Sequence, residues 1–361
     1  MTAELAVVIP TLNESRNIQT VCDKLDEVLA GVAWEVIFVD DDSTDGTLEA
    51  IETLARQDSR ISCVHRIGRS GLSSACIEGI LSTHAPHVAI MDADLQHDVS
   101  LLPQMLEALR SDQADLVVGS RYMEGGGVVD WSETRQRISR WGTRVANLIS
   151  RVSIHDPMSG YFAFQRKQII PTLRKLHGRG FKILFEILAS NKNLRVQELP
   201  YHFRPRIAGA SKLGGAIIYD FFLSVVFLLT KGVLPLEFIS FTIVGGSGIV
   251  VHLTALFLLL NVDVEFFRAQ GLAALLAMTS NFFLNNLTTH RNNKLRRRWF
   301  YYGLVKFYAL CAIGLMFNMA VAAHYYTLAS SWLLAGLLGS TVSAVWNYSL
   351  SSVFVWGGRK N

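Results

Sequence analysis

Two aspartates stand one residue apart at the end of an apolar run in the stretch "VAIMDADLQHDV", residues 88 to 99. The apolar residues predict a buried strand, and Asp92 and Asp94 follow it directly. Carboxylate and amide oxygens are the ligands that Mg²⁺ and Mn²⁺ prefer, so Gln96 adds a third candidate ligand. We expect His97 to be a hydrogen-bonded or structural neighbour of this set, because hard cations take oxygen. The stretch therefore predicts a divalent cation site.

A second D-x-D pattern, at Asp40 and Asp42, shows how weak this spacing is by itself. On the order of one chance match is expected in a chain of this length. Asp94 also has an alternative interpretation as a cap, because carboxylates often end strands and begin helices. The pair at Asp92 and Asp94 is favoured because it follows a predicted buried strand and is followed by Gln96.

Short apolar runs alternate with longer mixed segments in the first third of the chain. This alternation predicts a doubly wound α/β domain with a mainly parallel sheet, and such sheets bind ligands beyond the carboxyl ends of their strands. Four polar clusters follow four of the strands and should meet at one edge. The predicted strands are LAVVIP, WEVIFVD, ISCVH, HVAIMD and DLVVG, the predicted helices begin near Asn13, Thr44, Ser70 and Ser100, and the clusters are PTLNE, DDDSTDG, RIGRSG and DADLQH.

The composition changes along the chain and predicts two domains. Of the 361 residues, 50% are hydrophobic, and a mean hydropathy of +0.28 is too high for an ordinary soluble protein of this size. Charged residues become rare beyond Gly214. We therefore expect a soluble domain over 1–212, a linking amphipathic helix over 213–232 and a membrane domain over 233–361. The N-terminus has no basic leader or long apolar run, so the first domain is expected to stay in the cytoplasm.

Four segments of the second domain approach or exceed the ~20 residues that span a bilayer. They are about 236–260, 268–289, 301–328 and 332–356. The loop "HRNNKLRRRW" and the tail "GGRKN" are basic, whereas the loops "NVDVEFF" and "YTLASSW" have no basic residue. The positive-inside rule places the basic loop and the C-terminus in the cytoplasm, in agreement with an even number of spans. We interpret these basic residues as topology determinants in preference to a specific lipid-headgroup pocket.

Several shorter features give narrower expectations. The segment 214–230 would reach only ~26 Å as a helix, so it is predicted to lie along the cytoplasmic interface. Cys22, Cys63, Cys76 and Cys311 show no paired spacing and are expected to be ordinary buried thiols.

Helix packing in the membrane domain is predicted from its small and amide residues. Gly245, Gly246 and Gly248 suit close helix contact, and Asn281 with Asn285 are expected to make interhelical hydrogen bonds.

The motif "FKILFEIL" has two possible interpretations. It is predicted to be an interfacial helix with Phe181, Leu184, Phe185 and Leu188 toward acyl chains, the alternative being a buried core helix.

Eight motifs in order resemble one family. The chain resembles the family 2 glycosyltransferases of the GT-A fold, specifically the dolichol- or polyprenyl-phosphate mannose synthases, over residues 5 to 213. The four predicted spans resemble the GtrA-like domain of some of these synthases, which implies a GT-A α/β domain followed by four transmembrane helices. The motifs are PTLNE, VDDDSTDGT, RIGRSGLSSA, MDADLQH, GSRYMEGGGVVDWSETRQRIS, DPMSGYFAF, FKILFEIL and ELPYHFRPRIAGASKL.

The resemblance implies a role for each matching position. Leu12 departs from the aromatic residue expected in close relatives. Asp94, Arg121, Arg135 and Ser139 are the implied catalytic residues. By resemblance, the donor nucleoside pocket is Pro10, Leu12, Glu14, Val39 and Asp41; the diphosphate site is Asp92, Ala93, Asp94 and Gln96, of which Asp92, Asp94 and Gln96 hold the metal; the lipid phosphate is received by Arg121, Arg135 and Ser139; and Lys182 and Arg206 lie near the donor phosphates.

The implied ligands are GDP-mannose, a polyprenyl or dolichyl phosphate, Mg²⁺ or Mn²⁺ and the lipid bilayer of the cell membrane, with no nucleic acid. The chemistry is consistent with the residues, because a cation and fixed arginines stabilise a leaving diphosphate. Arg135 and Ser139 are spaced i, i+4 and would share a helix face. A phosphate acceptor is largely ionised near neutral pH, so no dedicated catalytic base is predicted. The family implies in-line attack with inversion.

Three other functions compete with this hypothesis. A processive polysaccharide synthase would carry Q-x-x-R-W, whereas "QRISRW" has one residue too many between Gln136 and Arg140. A polyprenyl-phosphate transferase that uses a UDP-sugar, glucose or a related one, would keep the mechanism with another donor. A protein that only binds or translocates lipid-linked sugars would not need the metal and phosphate residues.

Overall fold

The computed structural model describes residues 2–128, 133–150, 152, 154–174, 176, 178, 182–204, 215–230, 233–329 and 332–357. These residues form two compact units, Met1–Leu229 and Thr230–Asn361. The first unit holds the strands and the second is helical.

A seven-stranded sheet forms the centre of the first unit, in the order β3-β2-β1-β4-β7-β5-β8. Every strand pair is parallel except the two that β7 makes with β4 and β5. The strands are β1 (Leu5–Thr11), β2 (Trp34–Asp40), β3 (Ile61–His65), β4 (His87–Ile90), β5 (Leu116–Ser120), β6 (Gly127–Val128), β7 (Phe162–Gln165), β8 (Val196–Pro200) and β9 (His202–Phe203), of which β6 and β9 pair separately.

This topology confirms the predicted mainly parallel α/β sheet and adds an antiparallel strand that the alternation did not reveal. Since β7 runs against its neighbours, its amino end lies at the edge where the other strands of the sheet end. The segments after β1, β2, β3, β4, β5 and β8 therefore share one edge with the segment before β7. Ligands of doubly wound sheets bind at this edge.

Helices cover both faces of the sheet. Alternate residues of β1 enter different cores, because successive side chains of a strand point to opposite faces. Val7 and Ile9 pack with α1 and α4, whereas Ala6 and Val8 pack with α3, α6 and α7. The helices of this unit are α1 (Ile18–Val28), α2 (Thr47–Ala55), α3 (Leu72–Leu81), α4 (Leu102–Arg110), α5 (Glu133–Ser150), α6 (Arg166–Leu173), α7 (Ile183–Ser190) and α8 (Gly215–Leu229).

The interfacial interpretation of "FKILFEIL" is wrong for its described residues, and the core alternative is correct. Leu184, Phe185 and Leu188 of α7 are each 1% exposed or less. Leu184 and Leu188 pack in the core on the sheet face that α3 and α6 also cover. Phe185 packs against α5 and Phe221 of α8. A short helix that is apolar on every side is buried when both of its faces are covered.

The second unit consists of four long helices at the predicted spans. Two segments among the described residues, Leu236–Asn261 and Arg298–Phe317, are long and apolar enough to cross a membrane. That all four helices cross stays a prediction. The helices are α9 (Leu236–Asn261), α10 (Phe266–Leu287), α11 (Arg298–Ala329) and α12 (Trp332–Phe354).

The hairpins α9–α10 and α11–α12 are built alike. Gly248 of α9 lies directly against the side chain of Asn281 in α10, and Gly314 of α11 lies in the same way against Asn347 in α12. The two glycines are 66 positions apart, and so are the two asparagines. In each pair the glycine leaves the space that the amide fills.

Aromatic contacts between the hairpins follow the same repeat. Phe241 of α9 packs on Tyr348 of α12 with ring centroids 5.7 Å apart. Phe307 and Phe282, each 66 positions from one of those residues, pack α11 on α10 at 5.6 Å. The first helix of each hairpin thus contacts the second helix of the other through equivalent residues.

Of two packing predictions for this unit, the one for the glycines is correct at Gly248 only, and the one for the asparagines is wrong. Among the described residues, no atom beyond the neighbouring residues and the local backbone of α9 lies within 4 Å of a Cβ built at Gly245 or Gly246, so only Gly248 of the three glycines makes a close contact. Asn281 Oδ1 accepts no hydrogen bond within the described part of the chain. Asn285 Oδ1 instead accepts a hydrogen bond from Thr289, four residues further along the same segment.

Candidate active site

Seven segments converge at the carboxyl edge of the sheet, as the strand order requires. They carry most of the residues predicted to act on a ligand, and their hydrogen bonds connect neighbouring segments. By number they are 12–17 after β1, 41–46 after β2, 66–71 after β3, 91–98 after β4, 121–126 after β5, 201–204 after β8 and 154–161 before β7.

The segments after β1 and β2 are held together by short polar contacts. Asn13 adopts a left-handed backbone conformation with φ of 59°. Its amide N–H donates to Ser43 Oγ at 2.9 Å, and its side-chain oxygen accepts from the Thr44 N–H at 3.0 Å. The Glu14 N–H donates to Thr47 Oγ1 at 2.8 Å. The predicted donor residue Glu14 is therefore fixed beside the segment that carries Asp41.

Asp41 is the predicted nucleoside residue with the most defined environment. One of its oxygens accepts from the guanidinium of Arg66, and the other accepts from the Gly71 N–H at 2.7 Å. Burial raises the pKa of Asp41, against the lowering effects of Gly71 and Arg66. Arg66 is itself buried and donates to Ser74 Oγ at 2.6 Å. The segment after β3 thereby fixes the orientation of the Asp41 carboxylate.

The other predicted nucleoside residues lie in β1 and β2 or directly after β1. Pro10 and Leu12 are half-buried at the end of β1. The Val39 side chain is fully buried in the core with Ala75, so this residue would reach a nucleotide only through its backbone.

The turn after β4 brings the predicted metal residues together. The Asp92 side chain is 37% exposed, whereas Asp94 and Gln96 are buried. Asp94 Oδ1 accepts from the Gln96 N–H at 3.2 Å, and Gln96 Nε2 donates to the Arg204 carbonyl at 2.7 Å. Ala93 is also buried in this turn.

These side chains fit a hard cation that is shared with a phosphate ligand. Among the described residues, no group of three or more His, Cys, Asp and Glu side chains gathers as a metal cage. Mg²⁺ is commonly bound by one or two carboxylates, with substrate phosphates and water as the other ligands. An exposed Asp92 next to a buried Asp94 matches this arrangement, and Gln96 supplies an amide that Arg204 orients.

His97 supports this turn, as the sequence predicts. Its Nδ1 accepts from the Asp92 N–H at 3.2 Å, so the ring carries its hydrogen on Nε2. The ring stacks on Tyr161 with centroids 5.0 Å apart and an angle of 7°. Burial lowers the pKa of His97 to about 4, which keeps the imidazole neutral near pH 7. His97 thus fixes the backbone of Asp92 through this hydrogen bond.

Arg121, predicted to receive the lipid phosphate, is held by a partner that sequence reasoning missed. Its Nε and one terminal nitrogen donate to the two oxygens of Asp156 at 2.6 and 2.9 Å. Burial lowers the pKa of Arg121, but the charge of Asp156 outweighs it and the net shift is upward. Asp156 is fully buried. Its position in "DPMSG", a motif of the family resemblance, was the available signal.

A glutamate from β8 fixes the backbone around Asp156. The two carboxylate oxygens of Glu198 accept from the N–H groups of His155, at 2.8 Å, and Asp156, at 3.0 Å. The guanidinium of Arg121 therefore rests on a carboxylate that is itself fixed by the sheet.

The other predicted acceptor residues lie on α5. Ser139 accepts a hydrogen bond from the Tyr122 hydroxyl at 2.7 Å, which connects α5 to the residue after Arg121. Arg135 lies in the same helix, one turn before Ser139, as the i, i+4 spacing predicts. Lys182 precedes α7 and donates to the Met158 carbonyl at 3.1 Å. Arg206 lies outside the described residues.

The edge thus combines oxygen ligands with fixed cations. Asp92, Asp94 and Gln96 occupy its centre after β4, and Arg121 with Ser139 lies on the side of β5. A hard cation would bind the first group, and phosphate oxygens suit a buried guanidinium and a hydroxyl. Such a site can bind a diphosphate and a second phosphate next to it.

Comparison with known proteins identifies the family. The model of Glycosyl transferase family 2 matches residues 6–170, and that of the GtrA/DPMS transmembrane domain matches residues 240–356. A dolichol-phosphate mannosyltransferase from Pyrococcus furiosus is 33% identical over 356 residues, which cover 98% of this chain and 99% of that protein. The chain belongs to the dolichol-phosphate mannosyltransferase family. It is a glycosyltransferase with a membrane domain, as the sequence motifs indicate.

Other known proteins are similar to part of this chain. A dolichol-phosphate mannosyltransferase from Saccharomyces cerevisiae is 34% identical over 234 residues, which cover 61% of this chain and 85% of that protein. Among solved structures, glucosyl-3-phosphoglycerate synthase from Mycobacterium tuberculosis, in complex with Mn²⁺, UDP-glucose and phosphoglyceric acid, is 20% identical with a TM-score of 0.48. That likeness covers 64% of this chain and 81% of the synthase.

Proposed function

We propose that this enzyme transfers mannose from GDP-mannose to the phosphate of dolichol or another polyprenol. The observation that carries the proposal is the meeting of two groups at one sheet edge, the Asp92–Gln96 turn and the Arg121–Ser139 pair. The full-length similarity to a dolichol-phosphate mannosyltransferase supports this substrate pair.

In the proposed reaction, an oxygen of the lipid phosphate attacks the anomeric carbon of the donor. The bond from that carbon to the diphosphate oxygen breaks, and GDP leaves with the electron pair. Because the attack comes from the side opposite that bond, the configuration inverts. When bound at Asp92, Asp94 and Gln96, Mg²⁺ or Mn²⁺ would neutralise charge that develops on the diphosphate. Arg121 and Ser139 orient the attacking phosphate in this scheme. The phosphate is already ionised, so no side chain has to remove a proton.

The direct test is transfer of radiolabelled sugar to a polyprenyl phosphate by the purified full chain. GDP-mannose, UDP-glucose and UDP-N-acetylglucosamine are compared with and without EDTA. We expect label in the lipid from GDP-mannose only, lost with EDTA and restored by Mg²⁺ or Mn²⁺. The product should carry the inverted anomeric configuration. Label from a UDP-sugar instead would overturn the donor assignment, and a retained configuration would overturn the mechanism.

The two D-x-D patterns provide a matched pair of variants for this assay. Asp94→Asn should lower transfer by about 10²-fold or more, because it removes a carboxylate from the metal site. Asp42→Asn should leave transfer within about twofold, since Asp42 is exposed and its carboxylate is hydrogen-bonded only to His65 and the Gly68 N–H in the described structure. Equal losses in both variants would contradict the assignment of the metal to Asp94.

We also place the site in the cytoplasm, at the inner face of the cell membrane. The proposal rests on the predicted orientation of the membrane domain, whose basic loop and C-terminus follow the positive-inside rule.

A further inference from the structure

The loop between α10 and α11 is fixed by a buried asparagine. Asn286 Oδ1 accepts from the Leu295 N–H at 2.8 Å, and its Nδ2 donates to the Leu295 carbonyl at 3.2 Å. Trp356 Nε1 donates to the same Oδ1 at 3.1 Å. Both the oxygen and the nitrogen of its amide are hydrogen-bonded, so Asn286 ties the loop to the end of α10 and to Trp356, two residues after α12.

Two further contacts fix the start of the same loop. The His290 ring stacks on Trp356 with centroids 4.2 Å apart and an angle of 11°. Thr289 Oγ1 and Ser240 Oγ of α9 lie 2.6 Å apart, within hydrogen-bond distance. These contacts fix the loop at this end of the unit, although its charged sequence is typical of a simple connection between helices.

Besides Arg291, four cations stand exposed within five positions at the end of this loop and the start of α11: Lys294, Arg296, Arg297 and Arg298, which together form the basic loop surface. None of the ion pairs found among the described residues includes any of them. No aspartate or glutamate occurs in the sequence after Glu265. The sequence therefore supplies no carboxylate from the loop itself or from the helices that follow it.

These cations do not stabilise the helix that they precede. Helix α11 begins at Arg298, and its first turn contains no acidic residue. The amino end of a helix carries partial positive charge, so nearby cations are unfavourable there. A negatively charged partner would remove this repulsion.

Aromatic side chains next to the cations mark the depth of a membrane interface. Tyr301 and Tyr302 are 70% and 56% exposed. The Arg298 guanidinium lies 5.1 Å from the ring centroid of Trp299, and the Lys306 ammonium lies 4.6 Å from that of Tyr302. Tryptophan and tyrosine are enriched at the level of the lipid headgroups.

We propose that the basic loop surface binds the phosphate headgroups of anionic phospholipids in the surrounding bilayer. Exposed cations are attracted to an anionic membrane surface, and arginine can engage a phosphate through two parallel hydrogen bonds. The surface is open and its cations are spread over five positions, which suits several lipids better than one enclosed polyprenyl phosphate. Charge alone is enough to set the orientation of the chain in the membrane. Asn286 also holds this loop in one conformation, which a role in orientation does not require.

The test is native mass spectrometry of the full chain in detergent, with synthetic phosphatidylglycerol, phosphatidylcholine and a short polyprenyl phosphate added in separate arms. We expect phosphatidylglycerol to be retained several-fold more than phosphatidylcholine. The triple variant Arg296→Gln, Arg297→Gln, Arg298→Gln should reduce that retention about tenfold. Equal retention of the two phospholipids would overturn the proposal, and so would an arginine-dependent retention of polyprenyl phosphate alone.

Two more variants separate lipid binding from charge and from folding. Replacing the same three arginines with lysine keeps the charge that sets orientation but removes the bidentate contact, so retention should fall to an intermediate level. Arg268→Gln is the matched control, because Arg268 lies in the first turn of α10 beside Glu265, away from the basic loop, and it should change nothing. A loss with Arg268→Gln as large as with the triple glutamine variant would contradict the proposal. The measurement does not depend on transferase activity.

Discussion

Individual side chains at the candidate site are held by buried ion pairs. Arg66 orients Asp41, and Asp156 orients Arg121, while all four side chains lie at the carboxyl edge of the sheet. Burying a charge pair brings little net stability, because the cost of desolvation offsets most of the attraction. Fixed geometry at a phosphate-binding edge is the more direct explanation for both pairs. Asp156 is accordingly a positioning residue that acts through Arg121.

Asp156→Asn tests this role at a single residue. The amide keeps the shape but leaves the Arg121 charge uncompensated, so the free energy of unfolding should fall by about 3 kcal/mol. We expect the KM for polyprenyl phosphate to rise about tenfold, while the KM for GDP-mannose changes less than twofold. Steady-state kinetics with each substrate varied in turn would measure the difference.

A matched pair at the other end of β5 provides the control. Asp115 accepts from Arg195 at 2.8 Å, and this pair lies at the amino end of the strand. Asp115→Asn should lower stability without changing either KM. If Asp156→Asn and Asp115→Asn had the same kinetic profile, the loss would come from the fold in general, and Asp156 would have no positioning role.

At the scale of elements, local patterns predicted most of the strands and helices. The apolar runs that became β1 to β5 were found because buried strands read as continuous apolar stretches between polar turns. Strand β7 was missed because nothing in "FAFQ" distinguishes an antiparallel insertion from another parallel strand. Helix α1 was expected from about Asn13 but begins at Ile18, since Asn13 is used to connect two loops.

The candidate site was predictable where single positions carry a family motif, and not where distant residues pair. Asp92 and Asp94 are only two positions apart in the sequence, so their pattern is visible. Arg121 and Asp156 are 35 positions apart and meet only because β7 returns between β4 and β5. The repeat of the two hairpins was missed for a related reason, because few identities survive at its spacing.

Helix α9 offers a sharp test of packing. Gly248→Ala would place a methyl group against Asn281, whereas Gly246→Ala would meet open space among the described residues. We expect Gly248→Ala to lower the melting temperature of the full chain in detergent by several degrees, since overpacking costs about 1–3 kcal/mol. Gly246→Ala should leave it unchanged.

The repeat extends this prediction to the second hairpin. Gly314→Ala meets Asn347 as Gly248→Ala meets Asn281, so the two variants should cost similar amounts. A melting temperature that falls only in Gly248→Ala would show that the two hairpins are not equivalent in packing.

The whole molecule distributes its charges according to role. The predicted metal and phosphate residues belong to the first unit, while the second unit is apolar except at its ends. One end holds the basic loop, because Asn286 and Trp356 bring the ends of α10 and α12 together there, and Ser240 near the start of α9 joins them. The turn from α9 to α10 carries Asp263 instead.

This asymmetry predicts the orientation of the chain. If the four helices cross the bilayer, Asp263 and Lys294 lie on opposite sides, separated by α10. Asp263→Cys should react with a membrane-impermeant maleimide in intact cells, and Lys294→Cys should react only after permeabilisation. The unmodified chain serves as the background, because its cysteines are free thiols of which Cys22 and Cys76 are buried.

The opposite labelling pattern would place the basic loop outside and contradict the cytoplasmic site. Labelling of both variants in intact cells would mean that α10 does not cross the membrane. The predicted pattern follows from charge alone, because moving several arginines across a bilayer is far more costly than moving one aspartate. An enzyme oriented in this way would have its nucleotide-sugar site in the compartment where nucleotide sugars with a diphosphate, which cannot cross the bilayer unaided, are made.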